Sequence, residues 1–376
     1  MTKPDFKEYI SQVLHNQLNT KVSQKDYFSW GRDARHTLDD SEDIQFNNKK
    51  NIIKKQLKKL REFLMVSSYS LKTKLKTNSS FVLPNEYLEF ESSFNLLSDE
   101  YSRKLFCEIL LIKFFGEDRI SLQSFTKDFV DSYEKCSDKI LEEQESLPVY
   151  KWILKKINLS NSNISLYTAP TVLNTIETSR CYSYKNDQKT ISVLPGDVVI
   201  DAGVGWGDTS AYLASLSDPK KGGRLYAFDI LQDAFNALDK QIDINPHLNN
   251  ITSVHKALYN CDGKDFYTTD PSPGARLVDY KTPYKTTSIT IDTFQTSENL
   301  TKIDFIKMDI EGAEREAIKG AEKTILQFKP KLAISVYHLW DDLLVIPNQI
   351  NSIRDDYEFY LDCTTGFGGE TILFCI

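Results

Sequence analysis

The chain has 376 residues, a net charge of −7, and 40% apolar and 12% aromatic residues. This length and apolar content suffice for two domains, or for one large domain with a sizeable core. The negative charge argues against non-specific nucleic-acid binding by the whole molecule. No apolar run approaches the roughly 18 residues of a transmembrane helix, and no apolar signal segment follows Met1. Six scattered cysteines form no C-x-x-C pair, so we expect a reduced, cytoplasmic protein without a zinc site or disulfides.

The N-terminal third carries helix signals and almost no strand signals up to about Tyr150. Apolar residues recur at heptad spacing within residues 49–76, and lysines crowd the other faces of that stretch. This pattern predicts a helix that packs on the domain by its apolar stripe. A homo-oligomer seam, or contact with an anionic surface such as lipid, also fits the pattern. Further helices are predicted at 100–115 and 122–147.

Pro148 and the polar segment 158–163 mark a boundary before a pattern of alternating strands and helices. We therefore divide the chain into three parts. These are a helical, lysine-rich region at 1–95, a helical preamble or lid at 96–164, and a cofactor-binding domain at 165–376.

The stretch 197–210 organises the second half of the chain. Three β-branched apolar residues end at Asp201, and glycines then stand at every second position: Gly203, Gly205 and Gly207. This pattern indicates a buried parallel strand that breaks into a glycine turn and leads into a helix N-terminus. The spacing D-x-G-x-G-x-G differs from the G-x-G-x-x-G of dinucleotide folds. A carboxylate at the strand end would repel a pyrophosphate, but it suits the ammonium and sulfonium groups of S-adenosylmethionine.

Strand and helix signals then alternate to the end of the sequence. The predicted strands are 198–201, 224–229, 252–258, 304–309 and 332–338, and then the final pair 357–362 and 371–375. A polar stretch at 270–284 is predicted to be an insertion over the site, and 288–294 a short strand or edge piece. The fourth strand is predicted to lead into a helix that extends to Phe328. No helix fits between the last two strands, so they should be antiparallel. This ending favours a Rossmann-like class I methyltransferase fold with a seven-stranded sheet and a terminal antiparallel hairpin, preceded by the helical region.

Polar side chains stand where the predicted strands end. Asp201 ends the first strand and Asp229 the second, where an acid can bond the ribose hydroxyls of a nucleoside. A structural cap or backbone contact is the alternative for each.

The fourth strand places Lys307, Asp309 and Glu311 on one side, because residues two apart share a face of a strand. Charged groups inside a central strand are costly unless they are paired. They therefore form a closed ion pair, or else contact the methionine part of the cofactor or the substrate. His338 ends the fifth strand at the same rim. We predict it to be a general base, with a substrate hydrogen-bond donor or a structural residue as alternatives.

Several runs resemble the FkbM family of S-adenosylmethionine-dependent methyltransferases. They are D-F-I-K-M-D-I-E-G-A-E at 304–314, A-I-S-V-Y-H at 333–338, G-W-G-D-T at 205–209, E-T-I-L-F at 370–374, and Tyr182 to Tyr184 ahead of P-G-D-V-V-I-D at 195–201. The likeness covers residues 165–376, is fainter from Leu97, and gives no pattern for the lysine-rich region. Members mostly O-methylate hydroxyl groups of sugars, glycolipids, polyketides and other secondary metabolites.

The resemblance implies a set of cofactor contacts, namely Asp201, Gly203, Gly205, Thr209, Asp229 and Asp309. To this predicted cofactor site we add Tyr184, Gly207, Ile230 and Ala257.

Methyl transfer is an in-line displacement at a sulfonium carbon, so alignment is the main task of the protein. A sugar hydroxyl also needs its proton removed. We predict His338 as the base, with Lys307, Asp309 and Glu311 orienting the substrate. The alternative is a divalent cation, Mg²⁺, between Asp309 and Glu311 that lowers the pKa of the hydroxyl.

The expected function is O-methylation of a hydroxyl in a surface polysaccharide, glycolipid, nucleotide sugar or similar metabolite. An NAD-dependent oxidoreductase and a non-catalytic module that recruits a partner in glycan biosynthesis are the alternatives.

Overall fold

The computed structural model describes residues 4–19, 88–116, 120–150, 152–160, 162–269, 272 and 274–376. The lysine-rich stretch at 49–76 lies outside the described residues, as do Asp270, Pro271 and Pro273 of the insertion. Within the described part of the chain, no helix is long and apolar enough to cross a membrane.

The described helices are α1 (Phe6–Asn19), α2 (Glu91–Leu96), α3 (Glu100–Phe115), α4 (Lys127–Glu142), α5 (Pro170–Glu177), α6 (Asp208–Ser217), α7 (Gln232–Asp243), α8 (Ile291–Ser297), α9 (Glu314–Lys319), α10 (Glu322–Phe328) and α11 (Asp342–Ile353). The strands are β1 (Ser146–Val149), β2 (Trp152–Asn158), β3 (Ser165–Thr168), β4 (Tyr184–Lys185), β5 (Thr190–Ile191), β6 (Val198–Ala202), β7 (Arg224–Asp229), β8 (Ile251–His255), β9 (Ala257–Leu258), β10 (Asp265–Thr268), β11 (Leu277–Val278), β12 (Lys285–Ile289), β13 (Phe305–Met308), β14 (Lys331–Ser335), β15 (Phe359–Cys363) and β16 (Thr371–Cys375).

A seven-stranded mixed sheet forms the centre, in the order β15-β16-β14-β13-β6-β7-β8. Strands β14, β13, β6, β7 and β8 are parallel, whereas β16 is antiparallel to both β14 and β15. The seven-stranded sheet predicted from the sequence is therefore confirmed. The chain order reverses between β13 and β6, and ligands of open α/β sheets bind at such a switch point.

Alternate side chains of the central strands pack on opposite faces of this sheet. On β6, Ile200 faces a core that includes side chains of α3, α8 and α11, and Val199 faces a second core that includes Leu213 of α6 and Leu238 of α7. Because both faces are covered, these strands read as nearly continuous apolar runs. Because both faces are covered, the carboxyl ends of the parallel strands are where a ligand can approach the sheet.

Helix α3 packs on the edge strand β15 and coincides with the helix predicted at 100–115. Asp99 caps its N-terminus by accepting the N–H of Ser102 at 2.8 Å, and Gly116 follows its end with φ +88°. The Ser102 hydroxyl accepts the N–H of Leu361 at 2.9 Å. Helices α1 to α3 thus share one apolar core with the sheet, and the division of the chain into three regions stays a prediction.

The prediction was wrong between residues 143 and 168. The predicted helix at 122–147 ends with α4 at Glu142, and β1, β2 and β3 then form an antiparallel sheet. Its middle strand, β2, buries Leu154 and Ile157 three residues apart, a spacing that gives no simple two-residue alternation. The strand therefore lacked the sequence signal from which strands are recognised.

Three further elements differ from the prediction. The strand predicted at 252–258 divides at Lys256, so that β8 joins the large sheet and β9 pairs with β12 in a four-stranded sheet. The stretch 288–294 is the end of β12 followed by α8. The helix predicted up to Phe328 is divided into α9 and α10 at Gly320, where a Cβ would lie 2.0 Å from the Tyr259 carbonyl oxygen.

Candidate active site

A cleft lies at the carboxyl ends of β6, β7 and β13, with an empty volume of about 480 Å³ that includes its open mouth. The predicted site residues that line it are Gly203, Asp229, Ile230, Ala257, Asp309 and Glu311. The insertion contributes Ala275 and Leu277 to the same wall. The structure thus brings together side chains that are more than 100 positions apart in the sequence.

The glycine turn after β6 shapes one side of the cleft. Gly203 has φ +90°, and a Cβ at this position would lie 1.9 Å from the carbonyl oxygen of Asp309, so no other residue fits without displacing the backbone. Gly205 borders open space. Gly207 has φ +76°, and its Cβ would lie 2.7 Å from the Cα of Leu238. The structure therefore assigns Gly207 to the packing of α6 against α7 and shows no cleft contact for it.

Asp229 holds the glycine turn and the start of the next connection together. Its Oδ2 accepts the N–H groups of Val204 at 2.9 Å and Gly205 at 3.3 Å. Its Oδ1 accepts those of Ile230 at 2.7 Å and Leu231 at 2.9 Å. Burial raises the pKa of this carboxyl although the four N–H groups favour its ionised form. Asp229 therefore lines the cleft and also fixes the backbone of the two segments that border it.

Asp201 and Lys307 form a closed ion pair beneath the cleft. Lys307 Nζ lies 3.0 Å from Asp201 Oδ1, and both side chains are at most 2% exposed. The ammonium also donates to the Gly203 carbonyl, and the Ser210 hydroxyl donates to Asp201 Oδ2 at 2.5 Å. Burial alone would lower the pKa of Lys307, but the charges of Asp201 and Asp309 outweigh burial and raise it. Neither side chain lines the cleft. For Lys307, the geometry thus fits the closed ion pair rather than a contact with cofactor or substrate.

Asp309 is the centre of a polar cluster at the inner end of the cleft. Its Oδ2 accepts the hydroxyl of Tyr182 at 2.7 Å, and its Oδ1 accepts that of Tyr337 at 3.2 Å. Burial would raise the pKa of Asp309, but the charges of His338 and Lys307 and the Tyr182 hydroxyl hold it below its usual range. Tyr182 has φ +46°, a backbone conformation that is rare for aromatic residues and is associated with functional sites.

His338 lies among three carboxylates. Its Nδ1 is 2.9 Å from Glu314 Oε1, and its Nε2 is 3.3 Å from Asp309 Oδ1 and 3.7 Å from Glu311 Oε2. Burial lowers the pKa of His338, but contact with Glu314 and the charges of Asp309, Glu314 and Glu311 outweigh it and raise the pKa to about 9. In the absence of another cation the imidazole holds its proton at neutral pH. The general-base role of His338 stays a prediction.

Glu311 and Glu314 differ in exposure and in their partners. Glu311 lines the cleft with φ +54°, and burial raises the pKa of its carboxyl. Glu314 is buried at the start of α9 and accepts the N–H groups of Ile310 at 2.8 Å and Gly312 at 3.0 Å. These backbone contacts fix the carboxylate of Glu314 against His338.

Two further residues of the predicted cofactor site, like Asp201 and Gly207, lie away from the cleft lining. Tyr184 is buried in β4, where its hydroxyl donates to Asp99 Oδ2 at 2.5 Å and its ring packs 5.0 Å from that of Tyr360. This is a core position, and the prediction that Tyr184 contacts the cofactor has no support in the geometry. Thr209 is the second residue of α6, with its N–H 3.0 Å from Asp208 Oδ1.

Sequence reasoning named neither Tyr182 nor Glu314 as a catalytic or cofactor-binding residue. Both residues lie in the sequence runs that carry the family resemblance. Membership in those runs was therefore the signal that could have pointed to them as site residues. The choice of Tyr184 rather than Tyr182 missed the cluster by two positions.

The fold and this cleft define a methyltransferase-like α/β protein with a seven-stranded mixed sheet. Residues 200–359 match the family model described as the methyltransferase FkbM domain. This part of the chain, which is less than half of its 376 residues, is therefore similar to the FkbM methyltransferase domain.

Solved structures with similar folds include an FkbM methyltransferase from Methylobacillus flagellatus, at 22% identity and a TM-score of 0.46, over 77% of this chain and 59% of that chain. A fibrillarin from Aeropyrum pernix, solved with natively bound S-adenosyl-L-methionine, is 11% identical with a TM-score of 0.34, over 62% of this chain and 99% of that chain. A SAM-dependent methyltransferase from Aquifex aeolicus is 16% identical with a TM-score of 0.29, over 49% and 85%. No curated protein matches the chain at a significant level.

Proposed function

We propose that this protein is an S-adenosylmethionine-dependent O-methyltransferase that acts on a hydroxyl group of a carbohydrate or similar metabolite. The observation that carries this proposal is the cleft at the switch point between β13 and β6, where Gly203, Asp229 and Asp309 meet within the part of the chain that matches the FkbM domain. S-adenosylmethionine supplies a methyl group already activated on a sulfonium centre, so the residues of the chain need mainly to bind and align the two reactants.

The charges of the cleft favour a cationic donor over a dinucleotide. Asp229, Asp309 and Glu311 line it, and among the described residues Lys256 is the one basic side chain of the lining. This excess of carboxylates would repel a pyrophosphate and attract an ammonium or sulfonium group. The same argument disfavours the NAD-dependent alternative.

We assign the donor's groups by the chemistry of the lining. Asp229 borders the position for the ribose hydroxyls at the end of β7, and the apolar side chains of Ile230, Ala257 and Leu258 form a wall suited to an adenine ring. Gly203 lets the backbone approach the ligand, and Asp309 takes the ammonium end. Lys307 and Asp201 act as positioning residues, because their pair supports the glycine turn from below.

The insertion is the element we propose for acceptor binding. Ala275 and Leu277 line the cleft, and the same segment exposes the rings of Tyr280 and Tyr284, which are 50% and 41% accessible. Exposed aromatic faces next to a polar cleft suit the apolar faces of sugar rings, whose hydroxyls remain free for polar contacts.

Isothermal titration of the full chain with S-adenosylhomocysteine and with NAD⁺ tests the donor assignment. We expect S-adenosylhomocysteine to bind and NAD⁺ not to bind. An Asp229→Ala variant should lose at least tenfold in affinity, whereas Asp233→Ala, an exposed acid in α7, should bind like the wild type. Binding of NAD⁺ in place of S-adenosylhomocysteine would overturn the proposal in favour of the oxidoreductase, and binding of neither ligand would favour the non-catalytic module.

Transfer of a labelled methyl group to a panel of nucleotide sugars and extracted glycans tests the acceptor class. We expect an alkali-stable methyl ether on a sugar hydroxyl. Label on amines alone would refute O-methylation while leaving the donor assignment intact.

A further inference from the structure

We propose that Asp309, Glu311 and His338 hold a divalent transition-metal cation, of the Mn²⁺, Fe²⁺ or Zn²⁺ type, at the inner end of the cleft. The geometry and the charges of this cluster support the binding site itself. Its placement beside an acceptor hydroxyl rests on the proposed function.

The outer ring nitrogen of His338 lies close to two carboxylates. Its Nε2 lies 3.3 Å from Asp309 Oδ1 and 3.7 Å from Glu311 Oε2. Two donor atoms that each bind a metal at about 2.1 Å are separated by about 3.0 Å at right angles and about 3.4 Å in a tetrahedron. The His338 side chain is 3% exposed, yet neither ring nitrogen forms a hydrogen bond of acceptable geometry with any described residue. Close approach without hydrogen-bond alignment is the arrangement expected when the shared partner is a cation.

The second ring nitrogen of His338 also lies against a carboxylate, although this contact lacks the alignment of a hydrogen bond. Its Nδ1 is 2.9 Å from Glu314 Oε1, and both Glu314 oxygens are fixed by the backbone N–H groups of Ile310 and Gly312. A metal-binding histidine commonly directs its other nitrogen to a carboxylate, which sets the ring orientation. The hydroxyl of Tyr182 likewise holds Asp309 from its other oxygen at 2.7 Å. The cluster is therefore oriented from outside, as a binding site requires.

Glu314 could itself be a ligand, since Asp309, Glu314 and His338 offer donor atoms within 4.8 Å of one another. We place it behind the histidine instead, because it is 1% exposed and both its oxygens already accept N–H groups. Asp309 and Glu311 line the cleft, so a cation between them and His338 would keep open positions toward a substrate.

The charges around His338 also call for a cation. Three carboxylates surround the single imidazole. The ammonium of Lys307 acts on Asp309 but is paired with Asp201, and the guanidinium of Arg276 acts on Glu311. Buried negative charge that is only partly compensated is costly. One imidazole among carboxylate ligands suits Mn²⁺, Fe²⁺ or Zn²⁺ better than Mg²⁺ or Ca²⁺, which prefer oxygen ligands alone. The cluster thus differs in ligand set and metal type from the Mg²⁺ site predicted from the sequence.

A cation at this position would lower the pKa of a hydroxyl that reaches the inner end of the cleft. With its Nε2 bound to the cation, His338 would have no free nitrogen directed at that hydroxyl to accept its proton. The metal would therefore supply the activation that the histidine was predicted to provide.

Titration of the full chain with Mn²⁺, after treatment with a chelator, tests the site directly. We expect one Mn²⁺ per chain in the wild type. Affinity should fall at least 100-fold in Glu311→Gln and His338→Gln, and about 10- to 100-fold in Glu314→Gln, which acts through the histidine. The matched control is Glu316→Gln in the same helix, whose carboxylate pairs with Lys319 and not with the cluster, and which should bind like the wild type. Loss of binding in this control equal to that in Glu311→Gln would overturn the inference.

Electron spin echo spectra of Mn²⁺ bound to the wild type need no variant, so they remain decisive if a variant does not fold. We expect coupling to an imidazole nitrogen, and bound Mn²⁺ without that coupling would refute the ligand set. A parallel titration with S-adenosylhomocysteine separates the two proposals. If S-adenosylhomocysteine binds but neither Mn²⁺ nor Zn²⁺ does, the metal site alone is overturned. If a metal binds but S-adenosylhomocysteine does not, the proposed donor alone is overturned.

Discussion

The buried pair between Lys307 and Asp201 should be measurable as a coupled structural unit. At 3.0 Å, two unit charges attract by roughly 5 kcal/mol at an effective dielectric constant of about 20. Much of this attraction offsets the cost of removing both charges from water, so the pair as a whole adds little. Removal of one partner leaves the other charge buried, which costs about 3–5 kcal/mol. We therefore expect Lys307→Met and Asp201→Asn each to lower the free energy of unfolding by that amount.

The double variant separates a structural pair from two independent contributions. With no buried charge left, Lys307→Met combined with Asp201→Asn should be at least as stable as either single variant, although the single losses would add to about 6–10 kcal/mol if they were independent. Urea unfolding followed by circular dichroism gives these energies by linear extrapolation.

A more exposed ion pair just before β13 provides a control. Lys302 is 2.8 Å from Asp304, and its side chain is 49% exposed, so Lys302→Met should cost less than about 1 kcal/mol. If Lys307→Met proves no more harmful than Lys302→Met, the structural account of the pair is refuted.

Gly203→Ala should weaken S-adenosylhomocysteine binding at least tenfold and lower the unfolding midpoint, because its Cβ would lie 1.9 Å from the Asp309 carbonyl oxygen; wild-type affinity by calorimetry would contradict this. Tyr182→Phe removes the hydroxyl that donates to the Asp309 carboxylate, so we expect a loss of about 1.5–3 kcal/mol in urea unfolding, and no change would show that this contact does not contribute. Burial raises the pKa of Glu108 to about 7, so the folded state binds this proton more tightly than the unfolded state, and that contribution is lost as the pH rises through 7. Relative to the wild type, Glu108→Gln should therefore gain stability between pH 5 and pH 8, approaching about 3 kcal/mol, and a pH-independent difference in unfolding free energy would refute the assignment.

The sheet and α3 could be predicted because their signals are local. The apolar runs before Asp201 and Asp229 are long enough to identify strands covered on both faces. Asp99 and Gly116 mark the ends of α3 by chemistry that acts within one helical turn. Antiparallel pairing of β1 to β3 instead depends on a burial pattern without regular alternation, and the local sequence resembled the end of a helix.

The partners of Lys307 could not be predicted, because they depend on the pairing of strands distant in sequence. Alternation along β13 places Lys307 and Asp309 on one face, but it does not say what lies opposite them. The parallel register between β13 and β6 sets Lys307 beside Asp201. That register closes the ion pair below the glycine turn and leaves Asp309 beyond the strand end, free to face the cleft.

Tyr182 and Glu314 differ in how far the sequence could reveal them. Tyr182 reaches Asp309 across 127 positions from a loop before β4, and no periodicity or cap in its neighbourhood indicates that contact. Glu314 is a local case, since its carboxylate accepts the N–H groups of Ile310 and Gly312, much as an acid near a helix start satisfies free N–H groups preceding it. The positive φ angles of Glu311 and Gly312 turn the chain tightly enough to allow this. The run D-I-E-G-A-E therefore encodes two different carboxylates by local geometry alone, one directed into the cleft and one fixed behind His338.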